Sequence, residues 1–238
     1  MPALTYCMGL FPKIRNGELR GYKPNLLNEV EVSLALNPWY RERMTFLAGE
    51  EASDAVLRAH GLKVLRMFTD APSHVWRDTT FRMKAWMIQW AAEAFGGVMW
   101  VDWDTLSRGT PDKAFEAYCR CTDTPRFVRI PGYQHARVNC SLVYAPQRLS
   151  APLRSALEKN LTLWNDEHLW DSLLNDADLA TDAFWFGERA IHVGKPAKAA
   201  LVSTETQFVH LGANDPCLIS AIQNRFVATN LELAQSRR

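Results

Sequence analysis

The chain has almost no net charge: 27 lysines and arginines stand against 26 aspartates and glutamates, leaving +1 over 238 residues. That excludes bulk electrostatic attraction as the means of holding nucleic acid or an anionic membrane. Cysteine is scarce too. The five thiols (Cys7, Cys119, Cys121, Cys140, Cys217) are odd in number and irregularly spaced, with no Cys-x-x-Cys pair. A zinc site built from them is not expected, and a reducing, cytoplasmic setting is. No apolar run approaches the thickness of a bilayer, and the opening Met-Pro-Ala-Leu-Thr-Tyr has no basic stretch leading into a long apolar core. Neither a spanning helix nor a signal peptide is expected. Internal repeats and low-complexity segments are also missing. What remains is an ordinary globular composition, 47% hydrophobic and 22% charged. It is enough for one sizeable core, read as a single domain over residues 1–238. Nine tryptophans are many for this size, and most are expected in the core or lining a groove. Arginines gather locally around Arg77 and Arg82, and again from Arg120 to Arg137, which keeps a local anion site open.

The first half alternates short apolar runs with helical periodicity. Residues 4–10, 44–48 and 62–68 read as strands. Residues 25–36 and 50–60 read as helices, stopped by Asn37-Pro38 and Gly61. A longer helix over 79–95 ends at Gly96-Gly97, and Val98–Val101 forms a fourth strand. This spacing predicts parallel β–α units, and hence a mostly parallel, mixed central sheet flanked by helices. The second half predicts strands at 126–130 and 137–144, helices at 149–160 and 166–174, and short strands at 183–186 and 190–193. A final helix over 217–229 follows Asp215-Pro216. Residues 1–105 are expected to bind a nucleotide and 106–238 an acceptor, over one continuous sheet.

The fourth strand ends in Asp102-Trp103-Asp104. Residues i and i+2 of an extended chain share a side. The two carboxylates therefore converge where ligands bind in an open parallel sheet, beyond the strands' carboxyl ends. They suit a divalent cation that keeps waters and a phosphate, or else are two solvated acids opening a loop. Trp103 faces away and is assigned only packing. Three further stretches stand out: Val138–Val143, whose Asn139-Cys140-Ser141 interrupts an apolar strand; Trp164-Asn165-Asp166-Glu167-His168-Leu169; and His210-Leu211-Gly212.

In order and spacing these stretches resemble the GT-A fold glycosyltransferases, especially the retaining ones. Trp164–Leu169 is similar to the Trp-His-Asp-Glu-Ser-His-Leu stretch of the mammalian α-1,3-galactosyltransferase and blood-group transferase family. Trp76-x-Asp78 followed by Arg82-Met83-Lys84 resembles that family's Trp-x-Asp and Arg-Met-Lys. His210-x-Gly212 is similar instead to the His-x-x-Gly-x-x-Lys-Pro-Trp motif of the glycogenin and bacterial galactosyltransferase group, although its Lys and Trp are absent here. The resemblance implies a strand-end Asp-x-Asp holding Mn²⁺ or Mg²⁺ against the diphosphate of a nucleotide sugar, with a UDP-linked donor expected. His210 becomes the third ligand to Asp102 and Asp104, or else remains a core or surface histidine. A nitrogen ligand favours Mn²⁺ over Mg²⁺. Glu167 takes the nucleophile's place and Asp166 binds the donor sugar, unless the two acids merely favour a helix N-terminus.

Arg82 and Lys84, two apart on a helix, do not share a face, so at most one meets the diphosphate. Asp78 contacts the donor or caps the helix that follows it. Asn139, a polar side chain on a buried strand, must find partners and is assigned to an acceptor hydroxyl. Trp185, with Tyr133-Gln134-His135, is read as a platform for the acceptor or as core. The expectation is a metal-dependent glycosyltransferase, with retention preferred to inversion. Its acceptor is a saccharide, a lipid-linked glycan, a protein or a modified nucleic-acid base. A sugar nucleotidyltransferase and a non-catalytic nucleotide-sugar-binding module are the rivals. Gly9–Lys13 is a poor version of the Gly-rich loop a nucleotidyltransferase carries after its first strand.

Overall fold

The computed structural model describes residues 4–12, 14–15, 18–19, 26–67, 80–121, 123–129, 138–159, 166–174, 182–212 and 215–236. The first half runs β1 (Thr5–Leu10), a small hairpin of β2 (Ile14–Arg15) and β3 (Glu18–Leu19), α1 (Leu26–Leu36), α2 (Tyr40–Arg43), β4 (Met44–Ala48), α3 (Glu51–Ala59), β5 (Val64–Arg66), α4 (Thr80–Phe95) and β6 (Gly97–Val101). The second half runs β7 (Thr105–Ser107), α5 (Lys113–Arg120), β8 (Arg126–Val128), β9 (Asn139–Pro146), α6 (Ser150–Lys159), α7 (Asp166–Leu173), β10 (Ala190–His192), β11 (Phe208–His210) and α8 (Pro216–Ser236).

Six strands form the main sheet in the order β5-β4-β1-β6-β9-β8. The pairings of β5, β4, β1 and β6 are parallel, and β9 joins β6 and β8 antiparallel. The sheet is therefore mixed, as the two halves of the sequence predict. Strands β1, β4 and β6 are buried on both faces, which is why they read as near-continuous apolar runs. Alternate residues feed two cores. Tyr6, Met8, Phe46, Met99 and Val101 meet Val30, Leu34, Leu57 and Phe115 on one side. Cys7, Leu47, Val98 and Trp100 meet α4, α6 and α7 on the other, through Met87, Leu153 and Trp170 among others.

Local chemistry sets the joints. The turn from α4 into β6 needs left-handed backbone at two successive residues, Gly96 (φ +72°) and Gly97 (φ +121°), a region that only glycine enters without strain. Asp112 caps α5 by accepting from the Phe115 amide at 2.8 Å. Asp215 accepts from the Cys217 amide at 2.9 Å as α8 begins at Pro216.

One expectation is corrected. The second half does not lie on one sheet: β8 and β9 extend the main sheet, but β7, β10 and β11 stand outside it. After Asp104 the chain leaves the main sheet, and β7 joins a separate three-stranded sheet in the order β10-β11-β7. That sheet packs on α8 through a third apolar cluster, including Val193, Val209, Leu211, Leu218 and Ile222. The Asp102–Asp104 turn is therefore the junction of two sheets. Smaller corrections follow the same logic. Residues 182–184 form a helical turn rather than a strand, with Trp185 bridging to Phe127. The last helix continues to Ser236, because no proline or glycine stops it after Thr229.

Candidate functional site

The junction turn is fixed from several directions. The Asp102 amide donates to the Ser141 carbonyl at 2.8 Å, so β9 steers the first acid. Trp103 donates its indole N–H to the Gly9 carbonyl at 2.7 Å and stacks on Phe46. It therefore ties the turn to the end of β1, a role beyond the packing its sequence position suggests. The Leu211 amide donates to the Asp104 carbonyl at 2.9 Å, joining the turn to the residue after β11. Below it, Asn37 donates to the Thr105 carbonyl at 3.1 Å and accepts from the Ser107 amide at 2.8 Å. A loop held by this many backbone bonds keeps its side chains in place without help from a ligand.

The two acids then part company. Asp102 Oδ2 accepts from Lys84 Nζ at 2.8 Å, and Oδ1 accepts from Trp100 Nε1 at 2.7 Å. Burial pushes the Asp102 carboxyl above the usual carboxylate range. Lys84 pulls it down, and neighbouring Asp104 pushes it up further. Asp104 Oδ2 lies 3.2 Å from His210 Nε2. Burial also works against its ionised form, but the His210 imidazole, with Lys84 beyond it, outweighs that and holds Asp104 at about 2. The other edge of the His210 ring faces His192, with the two Nδ1 atoms 3.0 Å apart. Burial, then His210, lowers His192 to about 4, so its ring is neutral at neutral pH.

A divalent cation can be tested against this geometry. Two neighbouring ligands at about 2.1 Å from an octahedral cation lie about 3.0 Å apart. The 3.2 Å between Asp104 Oδ2 and His210 Nε2 matches that spacing. The oxygen–nitrogen pair also suits a borderline cation such as Mn²⁺. The expected set of three, however, is not closed. Among the described residues no group of three His, Cys, Asp or Glu surrounds one point. The physical reason is visible at Asp102, whose oxygens are turned to Lys84 and Trp100.

Of the two basic residues on α4, Lys84 reaches the site. Arg82 is buried and donates through Nη1 to the Leu157 carbonyl at 2.5 Å, bracing α4 against α6. Asn139 is buried, and its side-chain oxygen accepts from the Ser141 amide at 3.1 Å and from the Ser141 hydroxyl. Trp185 is buried rather than presented as an open platform. Its carbonyl accepts from the Tyr118 hydroxyl at 2.8 Å and Arg126 Nη1 at 3.2 Å. Arg126 and Arg189 stack on Tyr118 with guanidinium carbons 4.0 and 4.1 Å from the ring centroid. Arg129 sits 5.6 Å from the Trp185 ring. These arginines are engaged with aromatic faces.

Asp166 and Glu167 begin α7, which lies against α4 and β9, the elements that carry Lys84 and Asn139. The side chains of Asp166, Glu167 and His168 lie outside the described residues, as do Trp76, Asp78, the Tyr133–His135 stretch, Asn165 and Asn214.

Two participants escape the sequence reading, Trp100 and His192. The signal for His192 is plain in retrospect. His192-Val193-Gly194 repeats the spacing of His210-Leu211-Gly212, and the two histidines are register partners on parallel strands.

No protein-family profile matches the chain, and no curated protein matches it by sequence. Solved structures do match in three dimensions. Mouse xyloside xylosyltransferase 1 is similar at 13% identity and a TM-score of 0.55, covering 89% of this chain and 98% of that one. A glycosyltransferase involved in glycosylating the major capsid of PBCV-1 is similar at 12% identity and a TM-score of 0.50, covering 97% and 100%. The glycosyltransferase GlyE of Streptococcus pneumoniae TIGR4 is similar at 11% identity and a TM-score of 0.56, covering 99% of this chain and 64% of that one. The architecture is thus the GT-A glycosyltransferase fold: a mixed α/β sheet flanked by helices.

Proposed function

We propose that this chain is a glycosyltransferase that moves a sugar from a UDP-linked donor to a hydroxyl of an acceptor, with retention at the anomeric carbon. The meeting of Asp104 and His210 supports this most. Asp104 in the turn between β6 and β7 and His210 at the end of β11 are 106 positions apart in sequence, yet stand side by side. The fold alone does not require such a pair, since a fold hosts many functions and only a site argues for one.

Asp104 and His210 would hold the divalent cation, Mn²⁺ in preference to Mg²⁺. Such a cation supplies Lewis-acid neutralisation of a leaving diphosphate. Asp102 adds negative charge beside it and keeps Lys84 in place through their 2.8 Å ion pair. The Lys84 ammonium then has a second task, to meet diphosphate charge as the glycosidic bond breaks.

Glu167, in the first turn of α7, is the residue we assign to the face of the sugar opposite the leaving diphosphate. There its carboxylate attacks the anomeric carbon or stabilises positive charge on it while the acceptor enters from the leaving-group side. Asp166 binds sugar hydroxyls, and Asn139 an acceptor hydroxyl.

Calorimetry tests this directly. UDP-, GDP- and dTDP-sugars are titrated into the protein with Mn²⁺, then with EDTA. The expected result is UDP-sugar binding with Mn²⁺ that is lost in EDTA. Failure of every nucleotide to bind under any metal condition sinks the proposal.

A further inference from the structure

The second histidine is built into the site with care that simple packing does not require. His192 and His210 are register partners on the parallel strands β10 and β11. The His192 ring lies over two glycines. A Cβ at Gly194 would come within 2.9 Å of His192 Nε2, and one at Gly212 within 3.1 Å of Cε1. Gly212 also has left-handed backbone, φ +74°. Any other residue at either position would displace the ring. Its Nδ1 is thereby aimed at His210 Nδ1, 3.0 Å away.

A neutral imidazole has one N–H and one bare nitrogen. A histidine that binds a metal through Nε2 must carry its proton on Nδ1, and that N–H needs an acceptor. His210 presents Nε2 to Asp104 and Nδ1 to His192. The two contacts are on opposite edges of the ring, so one cation cannot take Asp104, His210 Nε2 and His192 Nδ1 together.

We infer that His192 is a positioning residue: when a cation stands between Asp104 and His210 in place of the Nε2 proton that the carboxylate otherwise accepts, His192 Nδ1 accepts the Nδ1–H of His210 and holds the tautomer that bares His210 Nε2. This rests on the divalent-cation reading of Asp104 and His210. Among the described residues, His192 Nδ1 is the one group in hydrogen-bond contact with that nitrogen. His192 therefore acts on metal affinity and ring orientation, not on the sugar.

The test titrates MnCl₂ in the presence of UDP into the wild-type protein, His192→Phe and His192→Asn. Free Mn²⁺ is followed by electron paramagnetic resonance, and bound imidazole nitrogens by electron spin echo modulation. The wild type should show one bound imidazole. His192→Phe should bind Mn²⁺ about 10- to 100-fold more weakly, the usual cost of losing an outer-shell partner. It should still show one imidazole. His192→Asn places a carbonyl oxygen near the lost Nδ1 and should recover much of the affinity. Nitrogen-15 spectra of the wild-type Mg²⁺·UDP form should show His210 with its proton on Nδ1, a readout that survives if His192→Phe fails to fold. Equal affinity in His192→Phe, two imidazoles in the wild type, or a proton on His210 Nε2 in the Mg²⁺·UDP form overturns the assignment. A wild type that takes up no Mn²⁺ with UDP overturns the cation reading itself and this inference with it.

Discussion

Lys84 Nζ and Asp102 Oδ2 are 2.8 Å apart, joining the N-terminal half of α4 to the residue that follows β6. The lysine side chain keeps only 9% of its surface and the aspartate 28%. Removing the lysine leaves a mostly buried carboxylate short of a charged partner, and burial already works against its ionised form. Lys84→Met is therefore expected to cost about 1–3 kcal/mol of stability. It should also weaken Mn²⁺-dependent UDP-sugar binding, because a cation that meets the diphosphate is lost. Thermal unfolding and calorimetry on the same preparation check both. Unchanged Mn²⁺-dependent UDP-sugar binding would confine Lys84 to a structural role.

Gly9 supports the same carboxylate from below. A Cβ there would lie 2.5 Å from Trp100 Cη2, and Trp100 is the residue whose indole donates to Asp102. Trp100 is fully buried between β1, β6 and α4, so its ring has nowhere to retreat. Gly9→Ala should destabilise the protein by about 1–3 kcal/mol through overpacking. Donor affinity should fall with it, since a displaced Trp100 loosens Asp102. A thermal melt within a degree of wild type would show that the ring yields more easily than the packing implies.

Such couplings explain what could be read in the sequence and what could not. The β–α alternation was legible because β1, β4 and β6 are buried on both faces and so appear as apolar runs. Asp102 and Asp104 were legible because charge at the end of such a run is anomalous. Their division of labour was not. It depends on Trp100 and Lys84, two and eighteen residues away from Asp102, whose contacts only the folded sheet and helix create. The second sheet was hidden for a related reason. Strands β7, β10 and β11 have three residues each, too few to show a period. Their register alone brings His192 to His210 and His210 to Asp104. Arg82 and Lys84 looked equivalent in the sequence, and the helix sends one to α6 and the other to Asp102.

Asp54 offers a measure of pH dependence away from the site. It sits on α3 between Arg58, 2.7 Å away, and Arg66 on β5, also 2.7 Å away. Burial raises its carboxyl, but the hydrogen bonds and charges of Arg66 and Arg58 outweigh that, and its pKa lies below the usual carboxylate value. A lowered folded-state pKa means the unfolded chain binds its proton first. The ion pairs therefore contribute stability above the ordinary aspartate range, and that contribution fades as pH falls through the lowered value. Asp54→Asn should reduce stability at neutral pH and flatten its decline in acid. Urea unfolding from pH 7 to pH 3 checks this, and parallel curves for variant and wild type would refute it.

Asp104 and His210 should behave as one unit. Either ligand lost breaks the pair, so the second loss adds little. Asp104→Asn and His210→Ala are each expected to weaken Mn²⁺-dependent UDP-sugar binding sharply, by a similar factor. The double variant should bind no more weakly than either single one. Calorimetry with the same donor and metal completes the double-mutant cycle, and strictly additive losses would mean the two residues act on different groups.

Glu167 separates binding from chemistry. Its replacement by glutamine keeps the shape and a hydrogen-bonding oxygen but removes the charge. If the carboxylate acts on the anomeric carbon, its work is done mainly in the transition state. A loss confined to the transition state lowers kcat and leaves donor affinity in place. Glu167→Gln should therefore bind UDP-sugar within a few-fold of wild type and turn over about 10²-fold more slowly or worse. The matching amide at the neighbouring acid, Asp166→Asn, should instead raise KM for the donor, because that side chain is assigned to the sugar hydroxyls. Both are read from donor hydrolysis in the presence of Mn²⁺, with binding measured separately by calorimetry. Full turnover in Glu167→Gln would remove it from the chemistry and place the catalytic carboxylate elsewhere on the acceptor side.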